Sequence, residues 1–262
     1  MATLACNGTL AHSALHTLSS RSLFRGSPHV GLTASTSGST GANSLIGYFI
    51  GHLGGSTYFN INTTYYAGSA YVSNAVNYTG YWATGSTGPA PSSAPTDGDM
   101  VAMLQSGFNG GKLAYDPGTL YAIFTGAGIN LGGGFGSQYC AYHTHGTVTV
   151  NGTQRTALYA AMPHDIDFPS GCTAGYASPN NDAAADAEVN TLAHETEETT
   201  ADEPGTAWYD RRGYENADKC AWTFGTTYTS GGGTANVTIG AKNFLVQQNW
   251  VNTGSGGCAL HL

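Results

Sequence analysis

Residues 192–220 read LAHETEETTADEPGTAWYDRRGYENADKC, and the interpretation of the whole chain depends on this stretch. It places His194, Glu195 and Glu198 within about one helical turn. Residues four apart lie on the same side of a helix, one turn above each other. His194 and Glu198 could therefore both bind one ion, at the ligand distance of about 2.0–2.2 Å that is typical of zinc. The HExxE spacing predicts a metal site, and the alternative is an acidic, solvent-exposed helix end.

The residues beside and after this helix complete a possible ligand set. Glu195 lies about 100° around the helix from His194, where HExxH peptidases carry the general base that activates water. Glu215 and Asp218 arrive after the proline-glycine break at 204–205 and can supply an acidic third ligand. Asp202 could also point toward the site if the helix extends that far.

These residues define the predicted roles. Glu195 is the candidate catalytic base, and the candidate metal ligands are His194, Glu198, Asp218 and Glu215. The expected cofactor is a divalent metal ion, and zinc is the favoured candidate. A carboxylate-rich ligand set leaves calcium and manganese open.

The charge of the chain is low and concentrated. Only 9% of the 262 residues are charged, against an average near 25% in soluble proteins. Eleven of the 16 acids lie between Asp182 and Asp218, and the only bases there are Arg211 and Arg212. This window therefore has a net charge of −9, whereas the whole chain has −8. Without a basic stripe to release counterions, nucleic acid is not an expected partner.

Cysteines and sequons indicate an oxidising, extracellular compartment. Five Asn-x-Ser/Thr sequons predict N-glycans at Asn7, Asn62, Asn77, Asn151 and Asn236. Four widely spaced cysteines predict disulfides, and local order favours Cys140 with Cys172 and Cys220 with Cys258 among the three possible pairings. Cys6 is left over and would be free or bonded to another chain. The given N-terminus shows no recognisable signal peptide, and no later stretch is long and apolar enough to span a membrane.

Hydrophobic patterning predicts an α+β fold in one domain. Helices are expected over 43–56, 99–108 and 182–199, and strands over 57–66, 70–82 and 119–129. A hairpin of 139–150 and 154–163 is expected around Asn151-Gly152. We expect a zincin-like domain of residues 41–262, with a mixed sheet, a central metal-site helix and a Gly/Thr-rich C-terminal part. The hairpin strand 154–163 would form the edge along which a peptide can lie, and residues 1–40 would form a polar Ser/Thr/Gly-rich tail.

Two histidines on the predicted hairpin share one face of a strand. His143 and His145 alternate along YCAYHTHG and are candidate extra ligands. A histidine in such a position is more often a hydrogen-bonded core or surface residue.

From about residue 40 onward the chain resembles the exordium, or phosphate-induced-protein, family of plants and its bacterial and fungal relatives. The resemblance rests on QYCAYH (138–143), SPNND, LAHETEE, AWYDRRGYENADKC (207–220) and FLVQQNWVN. It implies an extracellular or cell-wall-associated protein and does not settle an activity.

Two functions follow from these observations. The first is a secreted, peptidase-like metallohydrolase. The second is a non-catalytic extracellular protein that self-assembles into a surface layer or filament, with Cys6 and the N-terminal tail contacting a neighbouring subunit. In the second case, removal of residues 1–40 should leave a folded monomer that no longer assembles.

Overall fold

The computed structural model of this protein describes residues 29–34, 44–83, 94–202 and 207–262, with the backbone alone for 29–34 and Ala83. The predicted glycan acceptor Asn7 and the fifth cysteine, Cys6, lie outside the described residues.

The described strands, in chain order, are β1 (His29–Ala34), β2 (Tyr66–Ala67), β3 (Ala70–Tyr71), β4 (Asn77–Ala83), β5 (Thr119–Phe124), β6 (Tyr142–Val150), β7 (Thr153–Met162), β8 (Tyr228–Ser230), β9 (Gly233–Ala235), β10 (Val237–Ile239), β11 (Lys242–Phe244), β12 (Asn249–Val251) and β13 (Gly257–Ala259). The α-helices are α1 (Leu45–Leu53), α2 (Asp97–Asn109), α3 (Pro169–Cys172) and α4 (Ala183–Ala201). Short 3₁₀ helices lie at Phe59–Thr64, Asp165–Asp167 and Asp218–Cys220.

A five-stranded mixed sheet forms the centre of the fold, as the sequence predicts. Its strand order is β4-β1-β5-β7-β6. Strands β4, β1, β5 and β7 run parallel, and β6 is antiparallel to β7. Strand β1 belongs to the predicted N-terminal tail, yet it pairs with both β4 and β5 inside the sheet of its own chain.

Strand β5 is buried along its whole length because both faces of the sheet are covered. Leu120, Ala122 and Phe124 face a core that includes residues of α1 and α4. Tyr121 and Ile123 face a second core with residues of α2. The continuous apolar run in the sequence is therefore typical of a central strand.

The β6–β7 hairpin turns at the predicted dipeptide. Asn151 and Gly152 have φ values of 51° and 74°, as a two-residue type I′ turn requires. The predicted edge strand is wrong, however: β7 lies between β5 and β6, so β6 is the edge of the described sheet. The antiparallel edge strand therefore carries His143 rather than the 154–163 segment.

The predicted strand over 57–66 is also wrong, because Phe59–Thr64 forms a 3₁₀ helix. The Ser56 hydroxyl accepts a hydrogen bond from the Phe59 N–H, and the hydroxyls of Thr63 and Thr64 donate to the carbonyls of Asn60 and Ile61. Such local hydrogen bonds compete with strand pairing.

Helix α4 passes through the middle of the molecule. Every residue from Ala185 to Ala201 is buried, on all sides of the helix. Apolar contacts come from α1 and from the C-terminal segments, including Phe49, Ile50, Phe244 and Val246. The polar side chains of α4 are therefore inside the protein as well.

Two disulfides are present, with the pairing favoured by local order. Cys140 bonds to Cys172 and Cys220 to Cys258, across 32 and 38 residues. The bonds indicate an oxidising environment. Among the described residues, no helix combines the length and apolar character that a membrane span needs.

The structure corrects two of the predicted glycan sites. Asn62 and Asn236 are buried, and their side-chain amides donate hydrogen bonds to Glu197 and to the carbonyls of Phe224 and Val246. A glycan on either amide nitrogen would break these buried hydrogen bonds. Asn77 and Asn151 are exposed and remain predicted acceptors.

Candidate metal centre

The acidic helix is not a solvent-exposed helix end. His194, Glu195 and Glu198 are exposed by only 4%, 3% and 3%. Burying ionisable groups costs free energy unless other charges or a metal compensate them. The burial of these side chains therefore requires a compensating partner, which the alternative of a solvated surface does not supply.

His194 and Glu198 meet as the spacing predicts, and the loop after α4 adds Asp218. Nε2 of His194 lies 2.9 Å from Oε1 of Glu198 and 3.6 Å from Oδ1 of Asp218. The backbone N–H of Asp218 also donates to Glu198 Oε1 at 3.0 Å. These three residues form one group that could hold a metal ion.

His143 enters the site from β6 and forms a second group with Glu198 and Glu215. Its Nδ1 lies 3.1 Å from Oε2 of Glu195 and 3.6 Å from Oε2 of Glu198. Its Nε2 lies 3.4 Å from Oε1 of Glu215. The sequence predicted His143 as a candidate ligand but favoured an ordinary hydrogen-bonded core or surface histidine, because no local pattern shows that β6 lies beside α4.

The other two residues weighed from the sequence have different positions. His145 is exposed and belongs to neither group among the described residues. Asp202 follows the last residue of α4 and is buried, and its carboxylate accepts a hydrogen bond from the Ala207 N–H. Burial raises the pKa of Asp202 to about 6, and the nearby Glu215 charge adds to the rise.

The charges of the site act strongly on one another. Burial lowers the pKa of His194, but Glu198 and Asp218 outweigh this effect and raise it above its ordinary value. Burial likewise lowers the pKa of His143, and the neighbouring carboxylates of Glu195 and Glu215 reverse the effect. Burial raises the pKa of Glu198, and His194 opposes that rise.

Among the residues with a described structure, no lysine or arginine pairs with the carboxylates of the site. In the part of the chain that the structure describes, the site carboxylates form salt bridges only with histidines. Arg212 and Lys219 lie on the adjacent loop, but both pair with Asp210. Lys219 also lies 3.8 Å above the Trp250 ring. The nearest basic side chains on this loop are therefore engaged elsewhere.

Several buried atoms of the site have no hydrogen-bond partner among the described residues. They are Nδ1 and Nε2 of His194 and Oε1 of Glu215. Although His194 Nε2 lies 2.9 Å from Glu198 Oε1, the two atoms are not aligned as a hydrogen bond. Two close ligand atoms that do not bond each other fit a shared ion better than a hydrogen bond.

Comparison of the chain with protein-family models, with curated proteins and with solved structures found no match. The function of the site is therefore inferred from its own geometry.

Proposed function

We propose that this protein is a secreted metallohydrolase with a zincin-like arrangement, acting on peptide bonds. The observation that carries the proposal is the buried group of His194, Glu198 and Asp218 on and beside α4, next to the antiparallel edge strand β6. Glu195 follows His194 directly in the chain, and its carboxylate contacts the imidazole of His143, which belongs to the same site.

The donor set fits a transition metal. One imidazole nitrogen and two carboxylate oxygens are borderline-hard ligands of the kind that zinc and manganese accept. Calcium prefers oxygen ligands alone, so His194 disfavours it. The partnerless Nε2 of His194 supports the assignment, because a buried imidazole nitrogen otherwise needs a hydrogen bond.

When bound, the ion would polarise the substrate carbonyl and lower the pKa of the attacking water. Glu195 accepts a proton from this water as its oxygen bonds to the carbonyl carbon. Glu195 then returns the proton to the leaving nitrogen as the C–N bond breaks. Contact with His143 Nδ1 at 3.1 Å orients the Glu195 carboxylate for both transfers.

The edge strand offers a place for the substrate. In the described sheet, β6 pairs on one side with β7 and is the last strand. An extended peptide could add to such an edge through main-chain hydrogen bonds, which would bring its backbone to His143 and α4. An extracellular location is supported by the two disulfides, and membership in the exordium family remains part of the proposal.

Elemental analysis of the purified full chain tests the proposal, with wild type beside His194→Ala. We expect a stoichiometric transition metal in the wild type and its loss or marked reduction in the variant. His145→Ala is the matched control, since this exposed histidine belongs to neither group. Calcium alone, or wild-type protein that cannot be loaded with zinc or manganese, would refute the metallohydrolase.

The second candidate is a non-catalytic protein that self-assembles. One observation favours it: Tyr66 and Tyr71 form a close ring pair on the β2–β3 hairpin and are exposed by 57% and 62%. Exposed aromatic pairs are frequent at protein interfaces. Size-exclusion chromatography at several protein concentrations, with wild type beside a Tyr66→Ser/Tyr71→Ser variant, tests this candidate. Identical monomer profiles for the two proteins would eliminate the tyrosine pair as an assembly contact.

A further inference from the structure

The two oxygens of Glu198 face different histidines. Oε1 lies 2.9 Å from Nε2 of His194, and it accepts the hydrogen bond from the Asp218 N–H. Oε2 lies 3.6 Å from Nδ1 of His143. One buried carboxylate therefore connects the two groups of candidate ligands.

The two histidines fall into separate groups. Within each group, every ligand atom lies within 4.8 Å of the others. Two ligands of one zinc ion are at most about 4.4 Å apart, twice the metal–ligand distance. Each group thus has about the size for one ion, and no group found among the described residues contains both His143 and His194.

The charge of the site favours more than one cation. Four carboxylates face the two histidines, those of Glu195, Glu198, Glu215 and Asp218. One divalent ion held by His194 balances two of these negative charges and a protonated His143 balances a third, so one charge remains without a counterion. Two divalent ions would balance all four with both imidazoles neutral.

Each group also contains a buried atom that has no hydrogen-bond partner in the described part of the chain. In the first group it is Nε2 of His194, and in the second it is Oε1 of Glu215. In the second group, Nδ1 of His143 contacts Glu195 at 3.1 Å, which leaves Nε2, 3.4 Å from Glu215 Oε1, free to bind an ion. A carboxylate on the other ring nitrogen is the usual way to orient a metal-binding imidazole.

We propose that the site binds two divalent metal ions bridged by Glu198. One ion is held also by His194 and Asp218, and the other by His143 and Glu215. This inference rests on the proposed function and specifies its metal content. Ions in two-metal hydrolytic sites lie about 3.5–4 Å apart and act together on the attacking and leaving atoms.

Metal titration of the full chain tests the second ion. The protein is stripped with a chelator, reloaded with Zn²⁺ and followed by calorimetry and elemental analysis. We expect two zinc ions per chain in the wild type and in His145→Ala, and one in His143→Ala. One zinc per chain in both wild type and His143→Ala would overturn the two-ion site and leave the proposed function standing. If the wild type cannot be loaded at all, both proposals fail.

A spectroscopic measurement needs no variant. Wild-type protein loaded with Mn²⁺ should give an exchange-coupled electron paramagnetic resonance spectrum, because the bridging carboxylate holds two ions close together. An uncoupled six-line spectrum at saturating Mn²⁺ would overturn the bridge even if all variants misfold.

Discussion

Nδ1 of His143 lies 3.1 Å from Oε2 of Glu195, although 52 residues separate them in the chain. This contact joins the edge strand β6 to the central helix α4. It brings the candidate general base into the same site as the second candidate metal group. The chemistry of the site therefore depends on how a strand and a helix pack, in addition to the HExxE spacing.

Substitution Glu195→Gln should abolish hydrolysis and preserve the metal. Glutamine keeps the shape of the side chain but cannot accept the proton, and loss of a general base lowers kcat by about 10²–10⁴-fold. Peptide turnover and metal content are measured on the same sample. Glu188→Gln is the control, since Glu188 is a buried acid of the same helix that lies outside both metal groups. Unchanged kcat in Glu195→Gln would remove Glu195 from the mechanism.

Glu188 should make the protein less stable as the pH rises. Burial raises its pKa to about 8, and the charges of Asp182 and Asp167 add to the rise from the ordinary 4.5. Because the folded state holds this proton more tightly, the contribution is complete below about pH 4.5 and is lost as the pH approaches about 8. Over that window the free energy of unfolding should fall by at most about 1.4 kcal/mol per pH unit.

The Glu188→Gln variant measures this contribution. Glutamine stays neutral, so the variant should lose this part of the pH dependence. Denaturant unfolding of both proteins from pH 4 to 9 gives the difference directly. We expect equal pH dependence near pH 4 and a growing relative advantage for the variant toward pH 8, and parallel curves throughout would contradict the raised pKa.

Glu197 should be tolerant to glutamine and intolerant to alanine. It is fully buried, burial raises its pKa well above the ordinary value, and the amides of Asn62 and Asn249 donate to its Oε2. Glutamine retains one acceptor oxygen and the volume of a neutral acid. Alanine leaves a cavity and removes the acceptor that both amides share, at a cost of about 2–5 kcal/mol. Thermal unfolding of the two variants measures the difference in stability. Equal losses of stability in both variants would show that the Glu197 carboxylate must be charged.

Removal of the Cys220–Cys258 disulfide should weaken metal retention as well as stability. Cys220 lies two residues after Asp218, and both belong to the 3₁₀ helix Asp218–Cys220. Replacing both cysteines by serine should cost about 2–5 kcal/mol, as for other native disulfides. Melting temperature and metal affinity are measured together, and unaltered metal affinity would mean that the disulfide is not needed to position Asp218.

Deletion of residues 1–34 should prevent formation of a stable monomer, and deletion of residues 1–28, which keeps β1, is the comparison. Strand β1 pairs with both β4 and β5, so its removal opens the sheet and exposes two strand edges. Circular dichroism and sizing of both truncations make the comparison. A folded monomer without residues 1–34 would show that β1 is dispensable and would agree with the tail hypothesis.

The sequence alone determined features that depend on neighbouring residues. Helical periodicity places His194 and Glu198 one turn apart, and the Asn151-Gly152 dipeptide defines the hairpin turn. Local order also favoured the observed disulfide pairing. Each of these follows from backbone geometry or short loop closure, which a sequence pattern expresses directly.

The tertiary structure decided the rest. The HExxE pattern is the same on a surface helix and on a buried one, so only packing shows that α4 is enclosed from Ala185 to Ala201. Only the sheet order makes β6 the edge and brings His143 to Glu198. These are long-range contacts between segments tens of residues apart, and the free energy of burial that selects them depends on the whole core rather than on any local spacing.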